Sequence, residues 1–184
     1  MSAAAQTKPQ PSDQAQNQAQ NQAQNQAIAT TPDREIVTTR LLDAPRELVF
    51  KVWTDRKHLP HWYGPNGFRT TIQEMDVRPG GVWRLVMHGP DGRNYNNSLV
   101  FDEVVPPERL VYHHVLEPGT ERATHQTIVT FADRGGKTEL TLRLVFDSNE
   151  VRDTIIKTYG ALEGGKQTVN RLADYLAQLD GGAQ

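Results

Sequence analysis

Cysteine is absent from the 184 residues, which removes disulfides, thiolate nucleophiles and cysteine-ligated zinc from consideration. No apolar run approaches the roughly 20 residues needed to cross a bilayer. The N-terminus has neither the basic start nor the apolar core of a secretion signal. Charge of one sign is not concentrated anywhere: Lys+Arg 20 against Asp+Glu 22 leaves a formal net charge of -2. The electrostatic footprint of a nucleic-acid binder is therefore missing. No phosphate-binding glycine loop, zinc helix motif or dinucleotide fingerprint occurs, so no cofactor is expected. The expectation is a cytoplasmic protein without a membrane span or a nucleic-acid partner.

What is present begins with a compositional break. Gln14-Ala15-Gln16-Asn17 recurs as Gln18-Ala19-Gln20-Asn21 and Gln22-Ala23-Gln24-Asn25. This tract offers almost no apolar surface to offset ordering entropy, so residues 1–33 read as a disordered tail. A single domain is expected over 34–179, with 180–184 a short disordered end.

From Arg34 the pattern is that of a folded domain. Arg34 to Leu42 is rich in Ile, Val and Thr and reads as a strand. Asp43-Ala44-Pro45 starts a short helix through Thr54, and Asp55 opens a second through Trp62. Six strands follow, separated by Pro- and Gly-bearing turns: Phe68 to Val77, Val82 to His88, Tyr95 to Val105, Leu110 to Leu116, Thr124 to Phe131 and Thr138 to Phe146. Leu140, Leu142, Leu144 and Phe146 alternate with Thr141, Arg143 and Val145, giving one apolar face.

Asp147 to Leu179 reads as one long amphipathic helix. At about 100° per residue, Val151, Ile155, Thr158, Leu162, Gly165, Val169, Ala173 and Leu176 share an arc. A helix of about 33 residues spans roughly 50 Å, and only a curved sheet wrapped along it could cover that face. Glycine inside a helix costs about 1 kcal/mol relative to alanine. Gly165, within the buried arc, must therefore face either a closely packed neighbour or a cavity. The class is α+β, with helices against one sheet face.

Several segments then resemble one family. They are Asp43-Ala44-Pro45-Arg46-Glu47-Leu48-Val49-Phe50, Trp53-Thr54-Asp55, Trp62-Tyr63-Gly64-Pro65-Asn66-Gly67-Phe68, Asp76-Val77-Arg78-Pro79-Gly80-Gly81, Val105-Pro106-Pro107-Glu108-Arg109-Leu110 and Glu163-Gly164-Gly165-Lys166-Gln167-Thr168. In order and spacing they resemble the START-related SRPBCC superfamily, in the branch named for the C-terminal domain of the activator of heat shock protein 90 ATPase. The resemblance implies the helix-grip fold: a seven-stranded antiparallel sheet curled around a long C-terminal helix, with an apolar cavity between them. In that fold the helix centre, and so Gly165, would roof the cavity.

Candidate ligand contacts are Trp62, Trp83, Leu85, Met87, Tyr95, Phe101, Tyr112, Thr158, Leu162 and Gly165. His114, if Tyr112 faces inward, does so too; His125 joins Thr127, Val129 and Phe131. With Tyr95 these are the candidates for proton transfer. His58 and His61 have a spacing that suits a metal, but no third ligand accompanies them and no metal is expected. The direction of Arg40 is not fixed by alternation. The leading functional expectation is a small apolar or amphipathic ligand bound in the cavity. A polyketide cyclase or aromatase acting there is the alternative. A chaperone ATPase activator is a third reading, set back because the co-chaperone's separate N-terminal domain is replaced here by the Gln/Ala/Asn tail. A homodimer is open to the chain if an edge strand pairs.

Overall fold

The computed structural model describes residues 32–115 and 125–181. Residues 1–31 of the expected tail, the segment 116–124 and the last three residues lie outside these. A 3-10 turn at Pro32–Arg34 leads into β1 (Glu35–Leu42), α1 (Arg46–Thr54) and α2 (Leu59–Trp62). Six strands follow: β2 (Arg69–Met75), β3 (Val82–His88), β4 (Asn94–Val105), β5 (Arg109–His114), β6 (His125–Asp133) and β7 (Thr138–Phe146). The chain ends in α3 (Asn149–Tyr159) and α4 (Ala161–Gly181).

All seven strands form one antiparallel sheet in the order β1-β7-β6-β5-β4-β3-β2. β1 thus crosses to the far side of the meander to pair with β7, the one non-sequential neighbour. Shifts of register between Ile72 and Glu74 and between Phe101 and Glu103 mark irregularities of the kind that bend a strand. At the β2–β3 turn, a Cβ on Gly81 would meet the Asp76 carbonyl oxygen at 2.0 Å. Only glycine fits there, because the Gly80 and Gly81 backbones bond to Phe101 of β4.

The core lies between one sheet face and the helices. Val49, Val52 and Trp53 of α1, Leu59 and Trp62 of α2, and Val169, Leu172 and Leu176 of α4 meet strand residues such as Trp83, Leu110, Val129 and Leu140. Each large side chain buried this way contributes about 1.5–3 kcal/mol. The buried Thr138 hydroxyl donates to the Ala44 carbonyl at 2.7 Å and ties β7 to the turn that starts α1.

One expectation needs correction. The C-terminal segment is not one rod: Gly160 adopts the left-handed conformation (φ 60°, ψ 34°) and separates α3 from α4. Its N–H closes α3 on the Ile156 carbonyl, a terminus that favours glycine because a Cβ is costly there. The arc drawn through both halves loses its phase at this point. Val169, Leu172 and Leu176 stay buried on α4, whereas Thr158 is exposed and Leu162 is 42% exposed. α3 contributes no fully buried side chain.

Candidate functional site

Strand alternation fixes which side chains face the helices. Leu85 pairs with Asn97, Met87 with Tyr95, Leu99 with His114, Tyr112 with Thr127, Thr127 with Leu144, and His125 with Phe146. Trp83, Leu85, Leu99, Tyr112, Thr127 and Phe146 along these rows are buried, so the rows line the helix-facing surface. Arg40 pairs with Leu140 on the same surface and bonds Asn170 of α4. That settles its direction. Arg84 and Arg143 lie on the opposite face, beside Glu74 and Glu35.

The middle of this surface is filled. Trp62 and Trp83 are 0% exposed, Leu85 and Phe101 1%, and Tyr112 2%. Trp83 lies 5.0 Å from Tyr63, 5.5 Å from Tyr112 and 6.1 Å from Phe101 between ring centroids. Side chains so fully enclosed leave no water-sized space against themselves. Gly165 does not roof a void either: a Cβ there would meet Thr38 Oγ1 at 3.3 Å. Of the two explanations for that glycine, the close neighbour is the one observed.

Tyr63 is a member of this group that the sequence reading passed over. Burial pushes its hydroxyl up to about 12, against a smaller opposing hydrogen bond with Tyr112. Burial likewise raises Tyr112, with Tyr63 adding to the effect. Both phenols are neutral at pH 7. The Trp53 indole, directed at the Tyr112 hydroxyl, opposes part of that rise, and the buried Trp83 indole N–H meets no acceptor among the described residues.

The polar end of the surface is different. His114 and His125 lie side by side with ring centroids 4.4 Å apart, and His125 stacks obliquely on Phe146 at 5.2 Å. Both retain partial exposure, as does Leu144 on the next row, whereas the partly exposed Met87, Tyr95 and Asn97 lie further across the sheet on β3 and β4. Burial alone depresses His125 to about 4, so it is neutral at pH 7. Its Nδ1 is enclosed and meets no hydrogen-bond partner among the described residues. This end lies where β7 runs into α3, and α3 packs against β1, β7 and the start of α4. Tyr95 sits at the rim, its ring 5.8 Å from Phe68 and its hydroxyl 3.2 Å from Asp91 Oδ2.

The remaining histidines do other work. His58 Nδ1 is 2.8 Å from the Tyr175 hydroxyl, and His61 stacks on the same ring at 5.1 Å. That pair clamps α2 to α4. No group of three His, Cys, Asp or Glu suited to a metal occurs among the described residues. His113, on the outer face, lies 2.8 Å from Asp102 Oδ1, and that bond raises its pKa. Sequence spacing does not reveal this dyad, because the partners meet only across β4 and β5. The loop after α2 is fastened to α4 by Arg171, which donates to the Gly64 and Pro65 carbonyls at 2.7 and 2.9 Å.

Among the described residues no helix is long and apolar enough to cross a membrane. The architecture is that of a helix-grip protein: a seven-stranded antiparallel sheet with two short helices after the first strand and a C-terminal helix on its inner face. The family model described as "Activator of Hsp90 ATPase homolog 1-like protein" matches residues 43–177, and the chain belongs to that family. Solved structures share the fold at low identity. A solution structure from Arthrobacter aurescens is 21% identical over 80% of this chain and 88% of its own, with a TM-score of 0.74. A crystal structure from Nitrosomonas europaea is 23% identical over 82% and 99%, with a TM-score of 0.72. An AHSA1 protein from Silicibacter pomeroyi is 19% identical over 78% and 98%, with a TM-score of 0.64. No curated protein matches the chain.

Proposed function

We propose that the chain binds a small hydrophobic or amphipathic molecule between the inner sheet face and the C-terminal helices, at the α3 end beside His114 and His125. The observation that carries this reading is the contrast along one surface. Its middle is solid aromatic core, while at the edge where β7 runs into α3 the partly exposed His114 and Leu144 adjoin His125, whose Nδ1 meets no hydrogen-bond partner among the described residues. Ligand sites combine apolar walls with a few convergent polar groups. A buried polar atom without a partner costs about 1–3 kcal/mol, which a ligand's polar group would recover. The helix above this end buries none of its side chains fully, so displacing it forfeits little packing.

The cyclase reading gains less support. An imidazole held near pKa 4 is a weak base at pH 7, and the His113–Asp102 dyad lies on the opposite face from the groove. The chaperone-activator reading rests on the family description alone, and a shared fold does not carry function with it.

Binding is tested with Nile red, a neutral dye whose emission rises in apolar surroundings. Saturable one-to-one enhancement is expected, lost in Leu144→Glu, which places an unpaired charge on the inner face. No saturable enhancement, together with a native mass spectrum free of bound molecules, would remove the reading.

A further inference from the structure

We infer that the α3-end site selects an uncharged ligand carrying a hydroxyl group over the corresponding carboxylic acid. This deepens the ligand-binding reading and rests on it. Two imidazole rings 4.4 Å apart define the polar spot, flanked by Phe146 on one side and by Thr127 and Leu144 on the next row. Nδ1 of His125 is either donor or lone-pair acceptor, depending on the tautomer. A hydroxyl satisfies both states, whereas a carboxylate satisfies only the first.

A buried carboxylate also needs a cation, and among the described residues the strands facing this spot supply none. The inner-face cation, Arg40, is bonded to Asn170 beneath α4 and pairs with Leu140 towards the opposite end. Arg34, at the start of β1, donates to the Asp147 carbonyl. Arg152 of α3 bonds its neighbour Asp153. Burial is the sole cause acting on His125, with no charged group contributing. Against the described residues an acid would have to bring its own proton or force one onto the His125 ring, which resists it. Two adjacent imidazoles cannot both take up charge cheaply.

Matched pairs test this in the full chain at pH 7 by calorimetric titration: 1-octanol against octanoate, and 2-naphthol against 2-naphthoate. The alcohol of each pair is expected to bind at least tenfold more tightly. The His125→Phe variant should bring the two members to within about threefold, chiefly by weakening the alcohol. Equal or tighter binding of the acids by the wild-type chain would overturn the inference and leave the ligand-binding reading standing. If neither member of either pair binds while Nile red still does, the hydroxyl class is refuted alone; if Nile red fails too, both fall.

Discussion

The glycine pair at 164 and 165 offers a measurable test of how α4 sits on the sheet. Both residues lie inside a helix, where glycine costs about 0.5–1 kcal/mol relative to alanine. A Cβ on Gly164 would lie 3.4 Å from Pro65 Cγ, an ordinary contact. Gly164→Ala should therefore return most of that difference, about 0.5–1 kcal/mol of added stability. A Cβ on Gly165 would lie 3.3 Å from Thr38 Oγ1, and Thr38 is buried on β1 with a stiff, β-branched side chain. Overpacking a site of this kind costs about 1–3 kcal/mol, so Gly165→Ala should be neutral or destabilising by up to about 2 kcal/mol. Removing the hydroxyl with Thr38→Ala should relieve the contact and leave a coupling of at least about 0.5 kcal/mol in the double-mutant cycle. Urea unfolding with linear extrapolation reads all four proteins. Equal gains at 164 and 165 with no coupling to Thr38 would show that the close approach does not constrain this helix.

Three further outcomes follow from individual residues. Gly160→Ala should destabilise by about 1–2 kcal/mol in the same assay, because its left-handed backbone disfavours a Cβ; a continuous helix would instead gain stability. His125 is held near pKa 4 against an ordinary 6.5, so between those values the unfolded chain binds a proton that the folded one refuses. Stability should fall as pH drops from about 6.5 to 4, by up to about 3 kcal/mol from this group, and His125→Gln should flatten that limb of the pH profile. His113 has the opposite sign: Asp102 raises its folded pKa, so its contribution is full below the unfolded value and is lost as pH rises through the folded one. Asp102→Asn should move the His113 NMR titration midpoint downward, and an unmoved midpoint would refute the dyad.

The register of β4 to β7 shows how far alternation reaches. Tyr112 and His114, or Thr127 and His125, share a face in any extended strand, so their direction was readable once Leu110 and Val129 were taken as core. What stood on the other side of that face was not readable. Tyr63 and Trp53 join Trp83 and Tyr112 from segments far away in sequence, and only their packing decides that the middle of the groove is filled. Likewise the helical arc through Thr158 and Leu162 assumed a constant phase, and one left-handed glycine reset it.

Composition and local pattern therefore determined the element order as far as β7, the antiparallel sheet, the inward rows and the family, because these depend on periodicity, turns and motif order along the chain. The tertiary structure decided where Arg40 points, why Gly165 is tolerated, that His58 and His61 hold Tyr175, and which end of the groove keeps unsatisfied polar surface. Each of those depends on contacts between residues tens of positions apart, and chain separation alone does not encode the distance between them.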